Sequence, residues 1–195
     1  MKIERKILTI ILLSLFIFAG CKKDKKESSF NNYINYDGKM YELSKGIIEN
    51  WGQWDADGAY NLDLTLTSSG ITLVEVSGEI DHAEGKGHGI YLEMFTNNAS
   101  QLANGTYEYD YWSEEAGTFD YGWVSINYDA ALDDAEIDQD IEGGTVTINK
   151  SGDIYEITFN CTDEDGKSVT GYFKGTLKYY DYDMKKSTKA DKRRF

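Results

Sequence analysis

Leu62-Asp63-Leu64-Thr65-Leu66-Thr67 alternates apolar and polar side chains without a break. A period of two marks a β-strand with one buried face, because successive side chains point to opposite sides of the chain. The same alternation returns in Ile90, Leu92 and Met94, in Val124, Ile126 and Tyr128, and in Val146 and Ile148. Tyr155, Ile157, Phe159 and Cys161 share a face in the same way. Towards the end, Val169, Phe173, Leu177 and Tyr179 hold one face with Gly171 and Gly175 between them. Glycines inside an inner face predict a bend or a close backbone approach.

Asp37-Gly38, Asp57-Gly58, Ser69-Gly70, Gly152-Asp153 and Asp165-Gly166 separate these runs. Asp and Gly tolerate the positive φ that tight hairpins need. The pattern gives about nine or ten strands joined mainly in sequence, which predicts an all-β antiparallel meander. A sheet of that size buries one face by closing into a β-barrel or by packing as a two-layer β-sandwich, and the sequence leaves both open. One stretch, Ala130 to Glu142, offers a helix, with Ile137 and Ile141 four apart and Gly143-Gly144 as a stop; it reads equally as an acidic loop. The chain has no proline, so charge and bulges must protect its strand edges.

Charge narrows the partners. Residues 28–184 carry seven lysines, no arginine and thirty Asp and Glu, a net charge of −23. Such a domain repels phosphate backbones, so nucleic acid is excluded as a partner. The acidity could suit calcium, although high solubility is the commoner reason for such a surface. The basic residues gather outside this region, at Lys22 to Lys26 and from Lys185 to Arg194.

The N-terminus predicts export. Lys2, Arg5 and Lys6 precede Ile7 to Ala19, an uncharged and mainly aliphatic stretch of thirteen residues. It is shorter than the roughly 20 residues that cross a bilayer and fits the apolar core of a signal peptide. Phe18-Ala19-Gly20-Cys21 follows and resembles the lipobox of bacterial lipoproteins, although the position three before the cysteine, usually Leu in that family, is Phe18. The resemblance implies cleavage before Cys21, lipidation of Cys21 and a membrane anchor at the cell envelope. Cys21-Lys22-Lys23-Asp24 looks like the start of lipoproteins of Bacteroidota-type bacteria, which implies the outer membrane. The expected organisation is a leader at 1–20, a lipidated tether at 21–32, an all-β domain at 33–184 and a basic tail at 185–195. With Cys21 lipidated, Cys161 has no partner for a disulfide and reads as a small buried side chain.

Two further likenesses concern the domain. Leu102-Ala103-Asn104-Gly105-Thr106-Tyr107, Gly144-Thr145-Val146-Thr147-Ile148 and Asp165-Gly166-Lys167-Ser168-Val169-Thr170-Gly171 resemble small all-β lipoproteins of the same bacterial group. That likeness implies a fold and brings no activity. Gly52-Gln53-Trp54 resembles the Gly-x-Trp element of lipocalins, where the tryptophan plugs the closed end of a barrel. In that family the element opens a long strand, whereas here Asp55-Ala56-Asp57-Gly58 reads at once as a turn.

No catalytic motif is present. The two histidines lie in Asp81-His82-Ala83-Glu84-Gly85-Lys86-Gly87-His88, a glycine-rich segment whose spacing matches no zinc motif. There is no Gly-x-Ser-x-Gly elbow and no complete phosphate loop. Asp55, Asp57 and Asp63 resemble a truncated calcium loop, but Leu66 stands where an EF-hand needs glutamate. Asp138, Asp140 and Glu142 could offer oxygens as well, and read more simply as a solvated turn. Neither a cofactor nor a metal is expected, and the reading is a non-enzyme.

Aromatic content has two readings: core filling and strand pairing, which is the commoner, and stacking on a sugar or a partner chain where a ring is exposed. All fifteen tyrosines fall within residues 33–182, beside four tryptophans. Tyr107, Tyr109 and Tyr111 alternate, so as a strand they share one side and Trp112 points the other way, near Glu114 and Glu115. An exposed indole beside carboxylates can stack on a sugar ring while the acids accept hydroxyl hydrogen bonds. Trp112, with Tyr121 or Trp123 as neighbour, is therefore the expected ligand-binding set. The function expected is a lipid-anchored envelope module for a glycan or small ligand; the alternative is a structural or adhesive component that binds another protein.

Overall fold

The computed structural model describes residues 30–53 and 58–183. The leader, Cys21, most of the tether, Trp54 to Asp57 and the basic tail lie outside the described residues.

The protein is all-β, as the alternation requires. Among the described residues twelve strands follow one another: β1 (Tyr33–Tyr36), β2 (Lys39–Glu42), β3 (Lys45–Gln53), β4 (Tyr60–Thr67), β5 (Ile71–Val76), β6 (Glu79–Thr96), β7 (Gly105–Tyr109), β8 (Thr118–Asp129), β9 (Ile137–Ser151), β10 (Ile154–Asp163), β11 (Ser168–Gly175) and β12 (Lys178–Asp181). They pair in the order β12-β3-β4-β6-β8-β7-β9-β10-β11-β1-β2, with β5 hydrogen-bonded to the first part of β6. Neighbours are antiparallel except β12 on β3 and β7 on β8. The sheet is strongly curled and stays open, a half-barrel whose path ends at β2 and β12.

The inward side chains explain the curl. Leu62, Leu64 and Leu66 of β4, Ile90, Leu92 and Met94 of β6, and Phe159 and Phe173 of β10 and β11 are fully buried in one cluster. Every strand except β5 and β12 contributes to it. One curled sheet thus wraps around one main core. The N-terminal hairpin β1–β2 docks on β11, a pairing of strands far apart in the chain.

Turns follow the Asp-Gly signals. Asp37 and Gly38 both hold positive φ, the two-residue hairpin geometry expected of that pair. At the β10–β11 turn the Asp163 carboxylate accepts from the Asp165 and Lys167 N–H groups and from the Tyr36 hydroxyl at 2.6 Å. That buried carboxylate fastens β1 to the hairpin.

Several expectations are corrected. Ala130 to Glu142 is not helical: a turn ends near Asp134, and β9 begins at Ile137. A spacing of four is also twice the strand period, so Ile137 and Ile141 share a face of β9, and Ile137 pairs across from Ile126. Gly143-Gly144 stops nothing. A Cβ on Gly144 would sit 2.5 Å from the Cys161 Cα, and Gly144 has φ +112, so the pair serves a close strand contact beside a bulge. Tyr179 leaves the face of Val169 and Phe173, because the chain departs from β11 after Gly175 and runs beside β3 as β12.

Cys161 lies inward as expected. Burial pushes its thiol up to about 12, and the sulfur rests 3.8 Å from the Thr145 carbonyl oxygen. Only the thiolate reacts readily. Cys161 should therefore resist maleimide in the native protein and label fully in denaturant, which mass spectrometry reads directly; rapid native labelling would contradict its placement.

Candidate ligand surfaces

Trp112 stands in the β7–β8 loop and is 80 % exposed. The Ser113 N–H donates to the Asp110 carbonyl at 2.9 Å and closes a tight turn. Trp112 occupies its third position at φ +76, where glycine is the usual residue. A bulky side chain there costs roughly 1 kcal/mol or more. Its ring leans on Tyr111, centroids 4.5 Å apart. Strand β7 ends at Tyr109, so the tyrosine row stops at two: Tyr107 is buried, Tyr109 packs its edge on Phe119, and Tyr111 is exposed on the loop. The turn, and not the alternation, sets where Tyr111 and Trp112 point.

Two residues on, Glu114 and Glu115 line a cleft of about 390 Å³. Gln53 at the end of β3, Tyr60 at the start of β4 and Asn97 after β6 complete its polar wall. These three have no signal in the sequence; they meet Glu114 and Glu115 only because strand ends gather at one rim of the half-barrel. Gly52 and Gln53 close β3 instead of opening a strand, unlike the lipocalin element.

Tyr121 and Trp123 lie elsewhere, on the outer face of β8. They meet around Tyr91 of β6, with Trp123 stacked on Tyr91 at 5.8 Å and Tyr121 tilted at 6.2 Å. Tyr121 is 40 % exposed and donates to Asp140. Among the described residues no ring pair joins Trp112 to Tyr121 or Trp123. The expected trio is thus divided between a loop and a sheet face, and Tyr91, which the alternation presents as an ordinary outward residue, is the hub of the second group.

Beneath Tyr91 lies a carboxylate that faces outward by alternation and is nevertheless only 6 % exposed, Asp63. The Tyr91 hydroxyl donates to its Oδ2 at 2.7 Å and the Asn61 amide to its Oδ1 at 2.8 Å. Trp51 turns its buried indole N–H towards the same group without good hydrogen-bond geometry. Glu49 is its cross-strand partner on β3. Burial pushes Asp63 up to about 7 and the Glu49 charge adds to this, while the hydrogen bonds from Tyr91 and Asn61 pull it down. Burial also raises Glu49.

The histidines do not meet. His82 is exposed between Asp81 and Glu84, while His88 is half-buried against Tyr41 and accepts the Asn127 N–H. Asp138 and Asp140 are spent on Ser125 and Tyr121. Among the described residues no three His, Cys, Asp or Glu side chains converge as a metal site. No family model matches the chain, and no curated protein or solved structure matches it.

Proposed function

We propose that this protein is a lipid-anchored binding module of the cell envelope, held at the outer membrane through Cys21, and that it takes a glycan or small polyhydroxylated ligand at the Trp112 loop. One observation carries the reading: the most exposed indole among the described residues sits in a backbone conformation that disfavours it, two residues along the chain from a cleft walled by carboxylates and amides. A position that costs stability and leaves an aromatic face in water is explained by a ligand that covers the face. Glu114, Glu115, Gln53 and Asn97 supply acceptors and donors for hydroxyl groups.

Trp112→Gly separates this from a structural role. Glycine suits the turn, so the variant should match or exceed the wild-type stability by up to about 1 kcal/mol. On a glycan array it should lose at least ten-fold in binding. Binding unchanged in the variant, or no glycan bound by the full chain, removes the proposal. The anchor has its own test: Cys21→Ala should leave an uncleaved precursor with no incorporated fatty-acid probe, and labelling at the wild-type level would refute it.

A structural or adhesive role with a protein partner is the second reading. Among the described residues the sheet ends at β2 and β12 without a further partner strand, which favours it, since such an edge can accept another chain. Binding to an envelope protein that survives Trp112→Gly would put it ahead.

A further inference from the structure

Glu49 and Asp63 are adjacent carboxylates on the outer face, and neither has a basic partner among the ion pairs of the described residues. Glu49 stands between Ile47 and Trp51, which both pack into a small second cluster with Tyr180 and Tyr182 of the β12 end. The groups around Asp63 are Glu49 and Trp51 from β3, Tyr91 from β6, and Asn61 on β4 itself, while Glu93 of β6 acts on Tyr91. Lys178 and Tyr180, on β12 beyond β3, are both engaged by Glu75.

We propose that Asp63, paired with Glu49, is a proton-binding site that sets the position of Tyr91 and, through it, of the Trp123 and Tyr121 rings.

The hydrogen-bond inventory gives the mechanism. In the ionised state both Asp63 oxygens accept, one from Asn61 and one from Tyr91. When the carboxyl takes up a proton, one oxygen must become a donor. The Asn61 amide nitrogen can only donate, so it holds Oδ1 as an acceptor. The Tyr91 hydroxyl can donate or accept, so the proton settles on Oδ2 and reverses that bond. The phenol hydrogen then needs another acceptor in a buried setting, and a charge-assisted bond is exchanged for a weaker neutral one. Trp123 lies flat against the Tyr91 ring, with an interplanar angle of 14°, so a displaced Tyr91 moves it. Burial and the Glu49 charge place the change near neutral pH. The inference does not depend on the glycan reading, which concerns the Trp112 loop.

The test uses the full chain labelled with 13C-aspartate and 5-fluorotryptophan, titrated from pH 5 to 9. The Asp63 carboxyl, assigned by Asp63→Asn, is expected to titrate with a midpoint near 7. The Trp123 fluorine signal, assigned by Trp123→Phe, should follow the same midpoint. In Asp63→Asn it should be flat. In Tyr91→Phe the carboxyl should still titrate while Trp123 no longer follows, and Glu49→Gln should lower the midpoint by more than half a pH unit. A midpoint in the ordinary carboxylate range overturns the proposal. So does a Trp123 signal that ignores Asp63 in the wild type or follows pH equally in Tyr91→Phe. Should Asp63→Asn not fold, the wild-type curve with the Tyr91 and Glu49 variants decides the matter. None of these signals changes if glycan binding at Trp112 fails.

Discussion

Gly171→Ala is expected to destabilise the protein by about 3 kcal/mol, the upper end of what overpacking a core costs. Gly171 lies mid-strand in β11, opposite Phe159 of β10 and Ile34 of β1. A Cβ there would come 2.0 Å from the Phe159 ring and 2.4 Å from the Tyr33 carbonyl oxygen. The ring could shift, but the carbonyl belongs to the β1–β11 ladder and cannot leave without breaking it. Gly175, on the same face, would meet only the Phe173 ring at 3.1 Å. Gly175→Ala should therefore cost less than about 1 kcal/mol. Urea denaturation of the two variants reads the contrast. The backbone contact also predicts that Phe159→Leu rescues Gly171→Ala only in small part. A Gly171→Ala protein within 1 kcal/mol of wild type would show that β1 and β11 do not approach as closely as described.

The second large effect is on the pH dependence of stability. The carboxyl of Asp63 is held near 7 in the folded protein, against 3.8 ordinarily. The folded state therefore binds a proton that the unfolded chain has already lost across this interval. The associated stability is complete below about pH 4 and declines as the pH rises through about 7. A difference of this size corresponds to about 4 kcal/mol. Asp63→Asn cannot ionise, so between pH 4 and 8 it should gain about 4 kcal/mol relative to wild type. Comparing the two proteins cancels the general repulsion of an acidic surface. The carboxylates Glu75, Asp129 and Glu156, each lowered chiefly by a hydrogen bond from a lysine, run in the opposite direction and are common to both chains. A constant difference across that range would mean that Asp63 is solvated and the buried network is absent.

Much of the fold was legible because alternation reports burial of one sheet face directly. Leu62, Leu64 and Leu66, or Tyr155 through Cys161, have no other way to hide their apolar side chains. Asp37-Gly38 and Asp165-Gly166 likewise carry their turns in their own backbone preferences. The expectation weakened where two periods coincide, as at Ile137 and Ile141, whose spacing of four serves a helix turn and two strand steps alike. The exposure of Trp112 was expected, but for another reason: the alternation pointed it away from the tyrosine row, whereas a tight turn lifts both Trp112 and Tyr111 off the strand.

What the sequence determined by itself was the all-β class, the inward set of most strands and the inward position of Cys161, since each is fixed by neighbours within a few residues. What only the tertiary structure decided was which outward residues meet. The insertion of β7 between β8 and β9 and the docking of β12 beside β3 are long-range pairings with no local signature. They curl the sheet into an open half-barrel and gather Gln53, Tyr60, Asn97, Glu114 and Glu115 at one rim. On the outer face, Trp51 of β3 and Tyr91 of β6 close over Asp63, so that an ordinary polar residue in its strand becomes a buried acid. Burial of a polar group depends on what packs over it, and that is set by residues far away in the chain.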